Sequence, residues 1–68
     1  IKIKFNDNLD VIKKIKQRLV YWKDLNQQDT IYTSKYDSKM LEAVKKFQAR
    51  HGLFADGVIG VGTISFKL

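Results

Sequence analysis

Few side chains in this chain of 68 residues are typical of a catalytic site. The chain has one histidine, His51, and seven acidic residues, and it has no cysteine. A nucleophile needs a base within hydrogen-bonding distance, and that base needs a group that orients it. His51 is the single candidate base, but beside Gly52 at a helix end it is better explained as a half-buried ring bonded to a backbone carbonyl. Asp37, Glu42 and Asp56 do not form the spaced carboxylate pair that a glycosidase needs. We therefore expect a non-catalytic domain.

The same residues argue against a metal or a cofactor. A zinc site needs three or four ligands, and one histidine with scattered carboxylates is a poor set. The stretch GVIGVG, residues 57–62, could be interpreted as a phosphate cradle. However, it lacks the Lys-Ser/Thr ending of a P-loop, and no long strand precedes it. We expect that the domain uses neither a metal nor a cofactor.

The net charge of +6 favours anionic partners such as nucleic acid, an acidic membrane surface or an anionic cell-wall polymer. An equally good explanation is that the lysines only keep the helix faces soluble. No apolar run approaches the roughly 18–20 residues of a membrane span, so we expect no membrane insertion. Because the chain begins at Ile1 and not at Met, we expect an excised piece or a processed product.

The first element that must position these side chains is a helix from Leu9 to Trp22. Its apolar residues recur at helical spacing and should share one core-facing side; they are Val11, Ile12, Ile15, Leu19 and Trp22. Asn6, Asp7 and Asn8 are candidate caps for its start. Residues 1–8 predict a linker or an extended segment lying against the body, with Ile1, Ile3 and Phe5 on one side. The domain itself is expected over residues 9–68.

A second helix is predicted from Ser38 to His51, with Asp37 or Ser38 as its N-cap. Its apolar face consists of Met40, Leu41, Ala43, Val44 and Phe47. The connector of residues 23–36 is longer than a usual helix–helix link, which favours a functional loop. We expect Leu25 and Ile31 to hold it on the core, while Tyr32 and Tyr36 could either pack or meet a ligand.

All four glycines lie within residues 52–62 and predict one shaped loop. Gly52 should end the second helix in the left-handed conformation, and Asp56-Gly57 is typical of a turn. Gln48 projects onto the apolar side of the second helix, where it must be hydrogen-bonded, and we expect the loop backbone to be its partner. A short last helix over residues 63–68 should turn Ile64, and Phe66 or Leu68, inward. The predicted fold is all-α, a compact three-helix domain with two main helices, a long connector and a glycine-rich loop.

Residues 43–63, AVKKFQARHGLFADGVIGVGT, resemble the signature of the peptidoglycan-binding-like domain, a small three-helix module found beside cell-wall enzymes. The matching residues are ordered and correctly spaced: Ala43, Val44, Phe47, Gln48, Gly52, Leu53, Asp56, Gly57, Gly60 and Thr63. Tyr36-Asp37 resembles the family's aromatic–acid pair before the second helix, and the resemblance covers about residues 9–67. The chain departs from the family by lacking a glycine after the first helix and by having Val61 and Lys67 where proline and leucine are common.

The resemblance implies a non-catalytic peptidoglycan-binding module that positions an attached envelope enzyme, in the periplasm or outside the cell. The modules of L,D-transpeptidases are the most similar. The matched residues are implied to be mainly structural, so we assign ligand contacts by chemistry to Tyr32, Tyr36, Arg50, His51 and Phe54. Aromatic faces suit sugar C–H surfaces, and arginine suits the carboxylates of the peptide stem. It is equally possible that these five are ordinary surface or half-packed residues.

Two alternatives stay open at this point. The module could scaffold its own catalytic domain and bind no wall. A small basic DNA-binding domain is the weaker alternative, because helix-turn-helix units join their helices by about 3–4 residues and the connector here is much longer. The expected partners are peptidoglycan and the catalytic domain of the parent chain, with no nucleic acid, and the module is expected to be a monomer.

Overall fold

The computed structural model describes residues 2–29, 32–64 and 68. In these ranges the chain forms helix α1 (Val11–Tyr21), a 3-10 turn (Gln27–Asp29), helix α2 (Ser38–Arg50) and helix α3 (Val61–Ile64). The predicted all-α fold, with two main helices, a long connector and a short third helix, is confirmed. Four residues with predicted positions, Ile1, Ile31, Phe66 and Lys67, lie outside the described residues. No helix in the described ranges has the length and apolar character that a membrane span requires.

The N-terminal segment packs onto the body of the domain. Ile3 is buried and forms an antiparallel bridge with Ile59, in which the two residues exchange backbone hydrogen bonds of 2.9 and 2.7 Å. A second bridge joins Asn8 to Lys35 in the connector. Phe5, expected on the same side as Ile3, is 44% exposed with its edge against the ring of Tyr36. The segment therefore contributes one core residue and brings the chain start beside the glycine-rich loop.

The start of α1 differs from the prediction. Asp10 occupies the N-cap position without a side-chain cap bond. The polar residues before it close a turn instead: Asn6 has a φ of +77°, and the Asp7 carboxylate accepts the Lys4 N–H at 2.9 Å. The Asn8 side chain accepts a bond from the Ser34 hydroxyl in the connector. The predicted caps were wrong because these three residues bind other parts of the chain more closely than the helix start.

The buried face of α1 consists of Ile12, Ile15, Lys16 and Leu19. Val11, expected in the core, is 42% exposed, so that prediction was wrong. A core of eleven buried hydrophobic residues lies between α1, α2, the connector and the loop. They are Ile3, Ile12, Ile15, Leu19, Leu25, Tyr36, Met40, Ala43, Val44, Phe47 and Ile59. Leu25 holds the connector on this core as predicted, and Trp22 packs at its edge.

Both ends of α2 follow the local rules. The Asp37 carboxylate accepts the Met40 N–H at 2.9 Å and caps the helix start. At the other end Gly52 has a φ of +70°, and the Leu53 N–H returns to the Gln48 carbonyl at 2.8 Å, as in a Schellman-type cap. These two predictions are confirmed.

The turn at Gly57 has a stricter need for glycine. Its φ is +77°, and a β-carbon there would lie 2.4 Å from Leu41 Cδ1. Ile59 after the turn is buried. Ile64 in α3 is 41% exposed, so its predicted inward orientation was wrong. The buried residue of this short helix is Thr63, whose hydroxyl accepts a hydrogen bond from Nε2 of Gln48.

Candidate functional site

Gln48 holds the glycine-rich loop in shape. Its Nε2 donates to the Val58 carbonyl at 2.9 Å, to Thr63 Oγ1 at 3.1 Å and to Asp56 Oδ1 at 3.3 Å. Its Oε1 accepts the Gly57 N–H at 2.9 Å. Gln48 is 1% exposed. Its buried amide therefore holds three consecutive loop residues, 56–58, and Thr63 in α3. The prediction that Gln48 binds the loop backbone is confirmed.

An open groove of about 260 Å³ runs along the loop held by Gln48. It is lined by Leu53, Phe54 and Val58 as apolar residues, by Lys2, Gln48, Asp56 and Thr63 as polar residues, and by Gly60 and Gly62. Phe54 is 85% exposed. The groove combines an exposed aromatic ring with one cationic side chain, Lys2, and one anionic side chain, Asp56. Such a combination can contact a ligand that has both apolar and ionic groups.

Arg50 lies at the end of α2 and is already paired. Its Nε and Nη2 bind the Asp24 carboxylate at 3.1 and 2.5 Å, and this hydrogen-bonded pair raises the pKa of Arg50 above its usual value. The guanidinium also lies 5.8 Å from the centre of the Phe47 ring. Because its two-pronged hydrogen-bonding face is directed at Asp24, Arg50 would have to leave this partner to bind a ligand carboxylate in the same way.

His51 follows Arg50 and makes the contact that the sequence suggested. Its Nδ1 lies 2.8 Å from the Phe47 carbonyl, and its ring packs 4.2 Å, centre to centre, from the ring of Phe47. The residue is half-buried. The structure therefore brings Arg50 and His51 together around Phe47, while the groove lies along the side of α2 that carries Gln48.

The two connector tyrosines do not join this group. Tyr32 is 37% exposed and directly precedes Thr33, whose hydroxyl accepts from Lys16 beside the start of α2. A helix of 13 residues is about 20 Å long, so Tyr32 and Arg50 lie near opposite ends of α2. The five predicted ligand residues thus do not gather at one place.

The structure corrects the prediction for Tyr36. Its side chain is fully buried, and its hydroxyl donates to the Gly57 carbonyl at the turn of the loop. Burial, together with the nearby Asp56 carboxylate, raises the pKa of Tyr36. An aromatic ring in that position supports the loop from beneath and cannot reach a ligand.

Replacing Tyr36 by Phe should lower the free energy of unfolding by about 1 kcal/mol, because the Gly57 carbonyl loses its buried donor. Wall binding by the folded fraction should be unchanged. In the native protein the raised tyrosine pKa stabilises the fold below the ordinary pKa near 10, and this contribution is lost as pH rises above it. Urea unfolding of both proteins at pH 7 and pH 11 measures this. Equal stability together with weaker wall binding would restore Tyr36 as a ligand residue.

A partly buried ion pair was missed from the sequence. Lys16 is 1% exposed, and its Nζ lies 3.0 Å from both Thr33 Oγ1 and Asp37 Oδ2. Partial burial acts to raise the pKa of Asp37, but hydrogen bonds from the Met40 N–H and from Lys16 outweigh it and lower that pKa. The pair ties α1 to the connector and to the cap of α2. The sequence did contain one indication that Lys16 faces inward: it lies at helical spacing from Ile12 and Leu19 and next to Ile15.

The residues that match the family signature have structural positions. Asp37 caps α2, while Ala43, Val44 and Phe47 are buried in the core. Gln48, Asp56, Gly57 and Thr63 form the hydrogen-bonded loop, and Gly52 ends α2. Gly60 lies at the start of α3, where its carbonyl accepts the Ile64 N–H at 3.0 Å. Within the described ranges, no group of three or more histidine, cysteine or acidic residues is placed to hold a metal ion.

Comparison with known proteins gives one match. A family model described as a putative peptidoglycan binding domain matches residues 8–66. No curated protein and no solved structure shows a significant match to this chain.

Proposed function

This chain belongs to the family of putative peptidoglycan-binding domains, and we propose that it binds peptidoglycan through the groove beside Phe54 and so positions an attached envelope enzyme. The family match spans nearly the whole chain and names a binding domain, not a catalytic one. The attached enzyme that we propose is of the L,D-transpeptidase type, in the periplasm or outside the cell. The module would act as a monomer on the wall.

The exposure of Phe54 is the observation that supports this groove as the binding face. A phenylalanine that is 85% exposed presents its ring to solvent, and with the half-buried Leu53 and Val58 it gives the groove an apolar surface that a ligand can cover. The ring adjoins an open groove whose floor is held by Gln48, so it is presented on an ordered loop. Arg50 and His51 are proposed as contacts at the edge of this face, and Tyr32, near the opposite end of α2, is proposed as a contact outside it.

Replacement of Phe54 by Ser should reduce retention on purified insoluble peptidoglycan by about tenfold, because an exposed aromatic anchor is lost. The stability of the fold should be nearly unchanged, since the ring packs little against the protein. Tyr21→Ser is the matched control: Tyr21 is 69% exposed on α1, outside the groove, and its replacement should leave retention unchanged. Co-sedimentation at moderate salt, with the folded state checked by circular dichroism, measures all three proteins.

The outcomes separate the alternatives. Equal retention of the Phe54→Ser variant and the native chain would show that wall binding uses another surface. No retention of the folded native chain would contradict wall binding altogether. A scaffold role would then be supported if deletion of the module destabilised the attached enzyme.

A further inference from the structure

We infer that the groove beside Phe54 receives the charged peptide stem of peptidoglycan, in direct contact with the backbone at Gly60 and Gly62. This inference rests on the proposed wall binding and names the part of the polymer that the groove recognises. It depends on the two groove glycines, on the charges of Lys2 and Asp56, and on the hydrogen bonds that hold the glycine-rich loop in shape.

Gly60 and Gly62 differ from the other two glycines. Gly52 and Gly57 have positive φ angles, whereas Gly60 and Gly62 do not. A β-carbon added at Gly60 or Gly62 would meet no heavy atom of the described chain within 4 Å. Neither backbone conformation nor packing of the described residues therefore demands glycine at these two positions.

Both of these glycines line the groove. Glycine makes a regular element less stable than alanine does, and Gly62 lies within α3. A frequent reason for glycine with ordinary backbone angles is the close approach of a ligand to the main chain. A side chain at position 60 or 62 would occupy groove space, so these glycines leave the groove wall open to a ligand.

The two charged residues of the groove indicate what kind of ligand fits. Lys2 is placed there by the pairing of Ile3 with Ile59, and it forms no ion pair with the described residues. The exposed Asp56 uses Oδ1 to accept bonds from Gln48 and from the Val58 N–H. The groove thus presents one cationic and one anionic side chain beside the apolar surface of Leu53 and Phe54.

These features favour the peptide stem over the glycan strand. In a glycan strand whose lactyl carboxyl groups are amide-linked to stems, the N-acetylated sugars carry no charge, whereas the stem carries carboxylates and small methyl side chains. Its diamino residue can also present an amino group. A stem carboxylate can bind Lys2, an amino group can bind Asp56, and the methyl groups can pack on Phe54. A narrow extended peptide can also lie along the part of the groove wall formed by the half-buried Gly60 and the exposed Gly62.

Titration of the ¹⁵N-labelled chain with a soluble stem tetrapeptide tests the inference by NMR. We expect the amide resonances of Phe54, Gly60 and Gly62 to shift, and we expect chitotetraose to bind about tenfold more weakly or not at all. Gly60→Ala and Gly62→Ala should each weaken stem binding by about tenfold while the melting temperature is unchanged or raised. Val61→Ala is the control, because Val61 is 77% exposed in the same turn and does not line the groove.

Several results would overturn the inference. They are native affinity for the stem in both glycine variants, shifts confined to residues away from the groove, and stronger binding of chitotetraose than of the stem. If insoluble peptidoglycan retains the chain but the stem causes no shifts, the stem inference fails and the proposed function stands. If peptidoglycan does not retain the folded chain, the proposed function itself fails.

Discussion

Replacing Gln48 by Leu is expected to lower the free energy of unfolding by about 3 kcal/mol, because a buried Gly57 N–H loses its acceptor. The Val58 carbonyl and the Thr63 hydroxyl lose their donor in the same step. Leucine has nearly the same volume, so the effect measures the lost hydrogen bonds and not a cavity. The loss is large for a chain this short, whose total stability is about 3–5 kcal/mol.

Urea unfolding of the variant measures this effect, and NMR reports whether residues 53–63 lose their fixed structure. Gln17→Leu is the matched control, because Gln17 is an exposed glutamine on α1. Its replacement should change stability by no more than about 0.5 kcal/mol. A loss below about 1 kcal/mol for Gln48→Leu would mean that the loop is held mainly by other contacts.

Replacing Lys16 by Met is expected to lower the free energy of unfolding by about 1–3 kcal/mol. The methionine can fill the same buried space, but Asp37 and Thr33 lose their shared donor. The lower end of the range takes account of Asp37, whose side chain is 44% exposed and can be solvated by water. Lys14→Met, an exposed lysine on the same helix, is the control and should change stability by less than about 0.5 kcal/mol.

The acid dependence of stability gives a second measurement of this ion pair. The pKa of Asp37 is lower in the folded state than its ordinary value, so the unfolded state binds more protons. The stabilisation from Asp37 is therefore present above the ordinary pKa near 3.9 and is lost as pH falls through the folded pKa. In Lys16→Met this acid loss should be smaller. An identical decline in stability from pH 5 to pH 2 for both proteins would contradict the assigned role of the pair.

The sequence predicted the features that depend on neighbouring residues. The Asp37 cap, the left-handed Gly52 and the buried face of α2 each follow from residue types within a few positions along the chain. The role of Gln48 was also predictable, because a polar residue on an apolar face must be hydrogen-bonded.

The errors concern contacts between distant parts of the chain. Lys2 reaches the groove because Ile3 pairs with Ile59, and no local pattern connects residues 56 positions apart. Tyr36 was assigned to a ligand face because tyrosine suits both burial and binding, and only the fold places its hydroxyl at Gly57. Lys16 was not assigned to the core because lysine is usually exposed, although its position in α1 faces inward. The local structural role of a residue was thus easier to predict from the sequence than which distant residues come together at one site.

Binding of the folded 68-residue chain to purified insoluble peptidoglycan, measured as a co-sedimentation isotherm at moderate salt, tests the central claim most directly. We expect saturable retention of the native chain, equal retention of Tyr21→Ser, and retention about tenfold weaker for Phe54→Ser. A folded native chain that stays in the supernatant at every peptidoglycan concentration would contradict it.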